Sequence, residues 1–252
     1  MKYDPHLHEI LNREAEVEER RNKRKLPETA QQEKAPPDQV KGIDDFWRIE
    51  GVSYRKGIYT VDLAKSLLDN GITKTQDQWI NYSKEAKPKQ GFYLADMPLY
   101  HSIFKALSQG TGKDREEAKA FVKEQMRAKY PMTLTRIRYS PQEEDEVIHN
   151  LGMDDEYIVK GKMVGPDEYI ADSKDTRYLE LILGAGNVPE INQVYQAING
   201  TDAYIFRVNE KPKNIDERVV GFLAGTVKAV LYCDGDPQDS GSVVGVRVAR
   251  GK

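Results

Sequence analysis

The chain has 252 residues, 38 of them Lys or Arg and 41 Asp or Glu, giving a net charge of −3. Its single cysteine, Cys233, excludes an internal disulfide and a cysteine-rich zinc site, and the balanced charge removes the electrostatic footing for nucleic-acid binding. No apolar run approaches the ~20 residues of a membrane helix, and Met1-Lys2-Tyr3-Asp4-Pro5 does not open a signal peptide, so a chain without membrane insertion, cytoplasmic by default, is expected.

Residues 1–41 hold 18 charged and 11 apolar residues. Glu14, Glu16, Glu18 and Glu19 precede Arg20, Arg21, Lys23, Arg24 and Lys25, an order that complements a helix dipole, and Glu16/Arg20 and Glu19/Lys23 are i,i+4 pairs. The apolar face (Leu7, Ile10, Leu11) runs out after Val17. The spacing predicts a helix over 7–25 with little to bury, protruding or docked to a partner, with a disordered tail as the alternative. A linker with Pro27, Pro36 and Pro37 follows.

Residues 42–130 read as mainly helical. Val61, Leu63, Ala64, Leu67 and Leu68 follow a helical spacing that stops at Asn70-Gly71. A second helix is predicted from Thr75 to Ala86. A third opens at Asp96-Met97-Pro98 and ends near Gly110, and a fourth runs from Asp114 to Tyr130, stopped by Pro131.

From 131 to 252 the period changes to two. Leu134 to Tyr139 alternates as a strand, Tyr157 to Gly165 is another, and Tyr178 to Leu183 fits a strand or a buried helix. Pro189 to Ile198 is a short helix closed by Asn199-Gly200. Ala203 to Val208 and Val243 to Ala249 alternate again, with Val244, Val246 and Val248 on one face and Arg247 on the other. The class is α+β with antiparallel sheets.

Catalytic and metal chemistry find little footing. Ser108-Gln109-Gly110-Thr111-Gly112-Lys113-Asp114 resembles part of a phosphate loop, but it follows a helix and has Asp where Ser or Thr is needed, so it reads as an interhelical loop. His6 and His8 lack a third metal ligand, His101 reads as a packing residue, and His149 as part of a charged loop beside Asp145 and Glu146. Asp234, Asp236 and Asp239 have turn composition and not the spacing of a calcium loop. No catalytic residue, metal or cofactor is expected.

The last 35 residues stand apart in composition. Lys, Glu, Gln, Met and Trp number 64 in the whole chain, so a proportional share of this window is about nine; it contains three, Lys228, Gln238 and Lys252. Asp234, Asp236, Asp239, Ser240 and Ser242 give it the look of a turn-rich surface segment.

The ending Gly245-Val246-Arg247-Val248-Ala249-Arg250 resembles the closing strand of the C-type lectin fold in its formylglycine-generating-enzyme-like branch, where G-F-R-x-x-R is typical; Val246 departs from the usual Phe. With Glu190-Ile191-Asn192-Gln193-Val194-Tyr195, Asn199-Gly200-Thr201, the 211–218 stretch and Leu231-Tyr232-Cys233, it resembles the variable proteins of archaeal diversity-generating retroelements. In that family a reverse transcriptase copies a template RNA while mutating adenines, so AAY codons become NNY, which encode none of Lys, Glu, Gln, Met or Trp.

The resemblance implies a C-type-lectin-like domain over 131–252 with a variable region at about 220–248, displaying side chains to an unknown protein or carbohydrate ligand without catalysis. The contact residues it implies are Phe222, Leu223, Gly225, Thr226, Val227, Val230, Tyr232, Asp234, Gly235, Ser240, Gly241 and Val243, with Phe222 and Tyr232 as aromatic anchors. Lys228 and Gln238 would be fixed, with Leu231 and Cys233 as inward scaffold. One alternative is a formylglycine-generating-type enzyme, which uses a cysteine pair where this chain has one. Another is a viral or cell-surface attachment component docked by its 7–25 helix.

Overall fold

The computed structural model describes residues 39–129 and 131–249. The 7–25 helix, His6, His8 and the proline-bearing linker lie outside the described residues, as do the last three positions. What is described is an α+β fold with five α-helices and two sheets.

The smaller sheet has the order β1 (Val40–Ile43), β2 (Phe46–Tyr54), β3 (Gly57–Leu67) and β11 (Val244–Ala249), all antiparallel. The apolar run 61–68 is therefore not the helix its spacing predicts, and the first part of 42–130 is sheet. The reason lies in β3's place between β2 and β11, where Val61, Asp62, Leu63 and Ala64 are all buried. Val61-Asp62-Leu63 alternates apolar and charged residues as a strand does, but Val61, Leu63, Ala64, Leu67 and Leu68 fit a helical spacing as well, and the neighbouring strands decide between the two. Asp62 is 1% exposed because Arg48 and Arg247, its register partners on either side, each close on its carboxylate with two bonds of 2.7–3.1 Å. Gly245 lets the last strand approach: a methyl group there would overlap the Leu68 side chain.

Three helices begin and end where local signals place them. Thr75 caps α1 (Gln76–Ala86) through a reciprocal box with Gln78. Asp96 caps α2 (Met97–Ser108), with Pro98 in its first turn. Helix α3 (Lys113–Ala128) follows the Gln109–Gly112 loop, which joins two helices as expected.

The larger sheet has the order β6 (Tyr157–Gly161), β5 (Asp145–His149), β4 (Met132–Tyr139), β9 (Asp216–Ala224), β10 (Ala229–Gly235), β8 (Ala203–Phe206) and β7 (Glu168–Tyr169). Only β8 and β10 pair in parallel. Two helices interrupt the β region: α4 (Arg177–Leu183), which settles the ambiguity over 178–183, and α5 (Val188–Asn199), ended by Gly200 at φ 75°. His149 is not in a charged loop. It ends β5, and buried Asp145 accepts the Ser140 and Met163 amides at 3.1 and 2.8 Å.

The core lies between the larger sheet and helices α2, α4 and α5. Phe222 meets Tyr100 and Phe104 edge to face at its centre, with centroids 5.1–5.2 Å apart, and the Tyr100 hydroxyl reaches the Val244 carbonyl on β11. The C-terminal strand is thus held by sheet pairing and by the core together.

Candidate functional site

The 220–248 window is mostly sheet rather than a surface segment: β9 and β10 form a hairpin and β11 closes the smaller sheet. Four of the twelve implied contact residues are interior. Phe222 is 1% exposed and packs on Tyr100 and Phe104. Leu223 and Val230 face each other across the hairpin, at 3% and 0%, and Val230 is also the register partner of Tyr204 on β8. Val243 is fully buried, its carbonyl accepting the Leu68 amide at 3.0 Å.

The physical reason is that this part of the sheet is covered on both faces. Phe222, Leu231 and Cys233 belong to the main core. On the opposite face Tyr204, Phe206, Leu223 and Val230 are buried, and the ammonium of Lys228 stands 3.9 Å from the Tyr204 centroid and 5.0 Å from that of Phe206. Leu231 and Cys233 face inward as expected. Lys228, expected to be fixed, is 1% exposed between two aromatic rings.

Tyr232, implied as an anchor, is half-buried. Its ring lies across Gly221, its register partner on β9, and its hydroxyl is 3.4 Å from the Pro131 carbonyl. Burial, then the neighbouring Asp234, raises its pKa above the usual phenol range. Asp234 is half-buried beside Arg218, which reaches its carbonyl. Gly235 sits at the register shift where the β9–β10 ladder becomes irregular.

What remains exposed falls into two groups. Gly225, Thr226 and Val227 make the hairpin turn, closed by the Gly225 amide on the Lys228 carbonyl at 2.9 Å, with Thr226 exposed and the other two half-exposed. Asp236, Gln238, Asp239 and Ser240 are exposed in the connection from β10 to β11. Strand β10 lies between the groups and spans roughly 20 Å. The structure therefore does not bring the twelve residues into one surface.

The second group is held at its Gly241 end. The Trp79 indole N–H donates to the Gly241 carbonyl at 2.8 Å, and Lys74 and Gly241 exchange backbone bonds of 3.0 and 3.1 Å. Inside, the Asp236 side chain accepts the Gln238 amide at 2.8 Å and its carbonyl the Asp239 amide at 3.0 Å. The Trp79 indole and the Asp236 carboxylate are the side chains these bonds use and the rest join backbone atoms, so the turn makes few demands on the side chains of Gln238 and Ser240. Asp236 and Gln238 were absent from the implied contact set. The signal that finds them is Asp234-Gly235-Asp236-Pro237, whose turn composition marks the one long exposed connection in the window.

No known protein family, curated protein or solved structure matches this chain.

Among the described residues, no three His, Cys, Asp or Glu side chains group closely enough to hold a metal ion, and no helix is long and apolar enough to cross a membrane. Cys233 is fully buried, and that burial pushes its thiol well above the ordinary range. His149 Nε2 donates to the Leu181 carbonyl at 2.8 Å and Nδ1 accepts the Thr135 hydroxyl at 3.0 Å, and burial lowers its pKa to about 4. Both groups are engaged in holding the fold.

Proposed function

We propose that this chain is a ligand-binding protein of the C-type lectin class that recognises a protein or carbohydrate through its Asp236–Ser240 turn, without catalysis. The turn is the longer of the two exposed parts of a window that a diversity-generating retroelement varies. The observation that carries this reading is the anchoring of the turn: the Trp79 indole and the Lys74 backbone fix Gly241, leaving Asp236 and Ser240 exposed on an anchored loop. Recognition residues concentrate on such loops because the scaffold beneath them carries the stability. The paucity of Lys, Glu, Gln, Met and Trp in the window supports the diversification half of the reading. A buried Cys233 with a raised pKa gives no support to thiolate chemistry.

The reading narrows the diversified set. Codons for Phe222, Leu223, Val230 and Val243 must be spared, because changes there enter the core. Sequencing the DNA around the gene tests this. A near-copy of the window beside a reverse-transcriptase gene, with adenine differences at the codons for Thr226, Asp236 and Ser240 but not at those four, is the expected result. Absence of the copy, or differences concentrated on the four buried positions, contradicts the reading.

A further inference from the structure

A cleft of about 440 Å³ opens between the β2–β3 hairpin, the first turns of α2, the β5–β6 pair and the end of α4. It is remote in sequence from the turn proposed above and independent of that reading. Its volume falls in the range of small-molecule sites.

Three observations define what it accepts. First, its mouth is basic: Arg55 and Lys56, adjacent at the hairpin tip, are both exposed. Arg55 stands at φ 53°, with its guanidinium carbon 3.8 Å from the Tyr157 ring centroid. A guanidinium held over a ring face can still offer N–H groups to a bidentate acceptor such as a carboxylate. Glu180 is the acidic residue in the lining, while the third base, Lys105, is paired with Glu190 at 2.5 Å.

Second, the walls contributed by Val159, Leu181, Leu183 and Pro98 are apolar. Third, the lining includes His101, which is 2% exposed, stacks on Tyr195 with centroids 6.0 Å apart, and has no hydrogen-bond partner at either ring nitrogen. Burial, then Lys105, lowers its pKa to about 4, so near neutral pH it carries one donor and one acceptor. Buried polar atoms in native proteins nearly always find a partner, so an imidazole with both nitrogens unpaired at a cleft marks a place where a ligand supplies one. A neutral imidazole suits a hydroxyl, which also both donates and accepts.

We propose that this cleft binds a small carboxylate with an apolar body and a hydroxyl group, the carboxylate meeting Arg55 and Lys56 and the hydroxyl meeting His101.

The probe is 4-hydroxybenzoate, with benzoate (no hydroxyl) and methyl 4-hydroxybenzoate (no charge) as controls, titrated into the full chain. Binding is followed by calorimetry and by the ring signals of the four histidines. 4-Hydroxybenzoate is expected to bind saturably and shift the His101 signals, with the ester and benzoate each at least tenfold weaker, or about 1.4 kcal/mol. In an Arg55→Gln/Lys56→Gln variant the acid falls to the affinity of the ester. In His101→Phe, which keeps the stacking on Tyr195, it falls to that of benzoate. No saturable His101 shift up to about 10 mM probe, or unchanged affinity in both variants, overturns the assignment.

Discussion

Tyr232 lies across Gly221, its direct partner on the neighbouring strand, so closely that a methyl group at 221 would overlap the ring. An aromatic side chain covering a cross-strand glycine restores packing that the glycine cannot supply, and it fixes the ring in the sheet. The aromatic residue that sequence alone marks as a ligand anchor is therefore part of the framework.

This pairing predicts a non-additive double-mutant cycle. Gly221→Ala alone is expected to destabilise by about 1–3 kcal/mol through overpacking. In a Tyr232→Ala background the same change should be neutral or slightly stabilising, since glycine is a weak strand residue. Chemical denaturation of the four proteins measures the coupling, and additive effects would show that the ring yields freely.

The buried ionisable groups predict acid sensitivity with a definite sign. Burial holds His101 and His149 at about 4, below the ordinary histidine value of 6.5. Between those values the unfolded chain takes up protons that the folded one refuses, so stability falls as pH drops from 6.5 to 4, by on the order of 3 kcal/mol per histidine. Asp96 works the other way: burial raises it to about 6 against hydrogen bonds from Tyr54 and the Leu99 amide, so between about 6 and 3.8 it favours the folded state as pH falls. Its opposing contribution offsets roughly one histidine. Urea midpoints at neutral pH and near pH 4 should show a net loss on acidification, smaller in His101→Phe and larger in Asp96→Asn.

Cys233 predicts a chemical silence. Its thiol is fully buried and held above the ordinary range. A thiol-reactive disulfide reagent at mildly alkaline pH should label the native protein only at the rate of global opening, and label it completely in denaturant. Rapid native labelling would place the sulfur at the surface and reopen thiol chemistry.

The parts of the fold legible in the sequence are those written locally. Thr75, Asp96 with Pro98, and Pro189 with Asn199-Gly200 announce helix ends through signals carried within a few residues. Strand β3 was hidden because Val61, Leu63, Ala64, Leu67 and Leu68 fit a helical spacing as well as Val61-Asp62-Leu63 fits a strand, and only the pairing with β2 and β11 decides. Phe222 and Val230 look displayable in sequence and are interior in space because their part of the sheet is covered on both faces. The exposed turn was partly legible through Asp236 and Pro237. The cleft was not legible: Arg55, His101, Tyr157 and Leu181 come from four separate elements, and only the tertiary fold brings them together.

On the proposed reading, the framework holds its shape whatever side chains its exposed turns carry. Thermal unfolding of Thr226→Tyr/Asp236→Asn/Ser240→Tyr beside Phe222→Ser tests it most directly. The account predicts that the triple turn variant melts within about 2–4 °C of the parent, a shift of at most about 1 kcal/mol. Phe222→Ser, which opens the contact with Tyr100 and Phe104, should lose several kcal/mol. A turn variant that unfolds as readily as the core variant would contradict it.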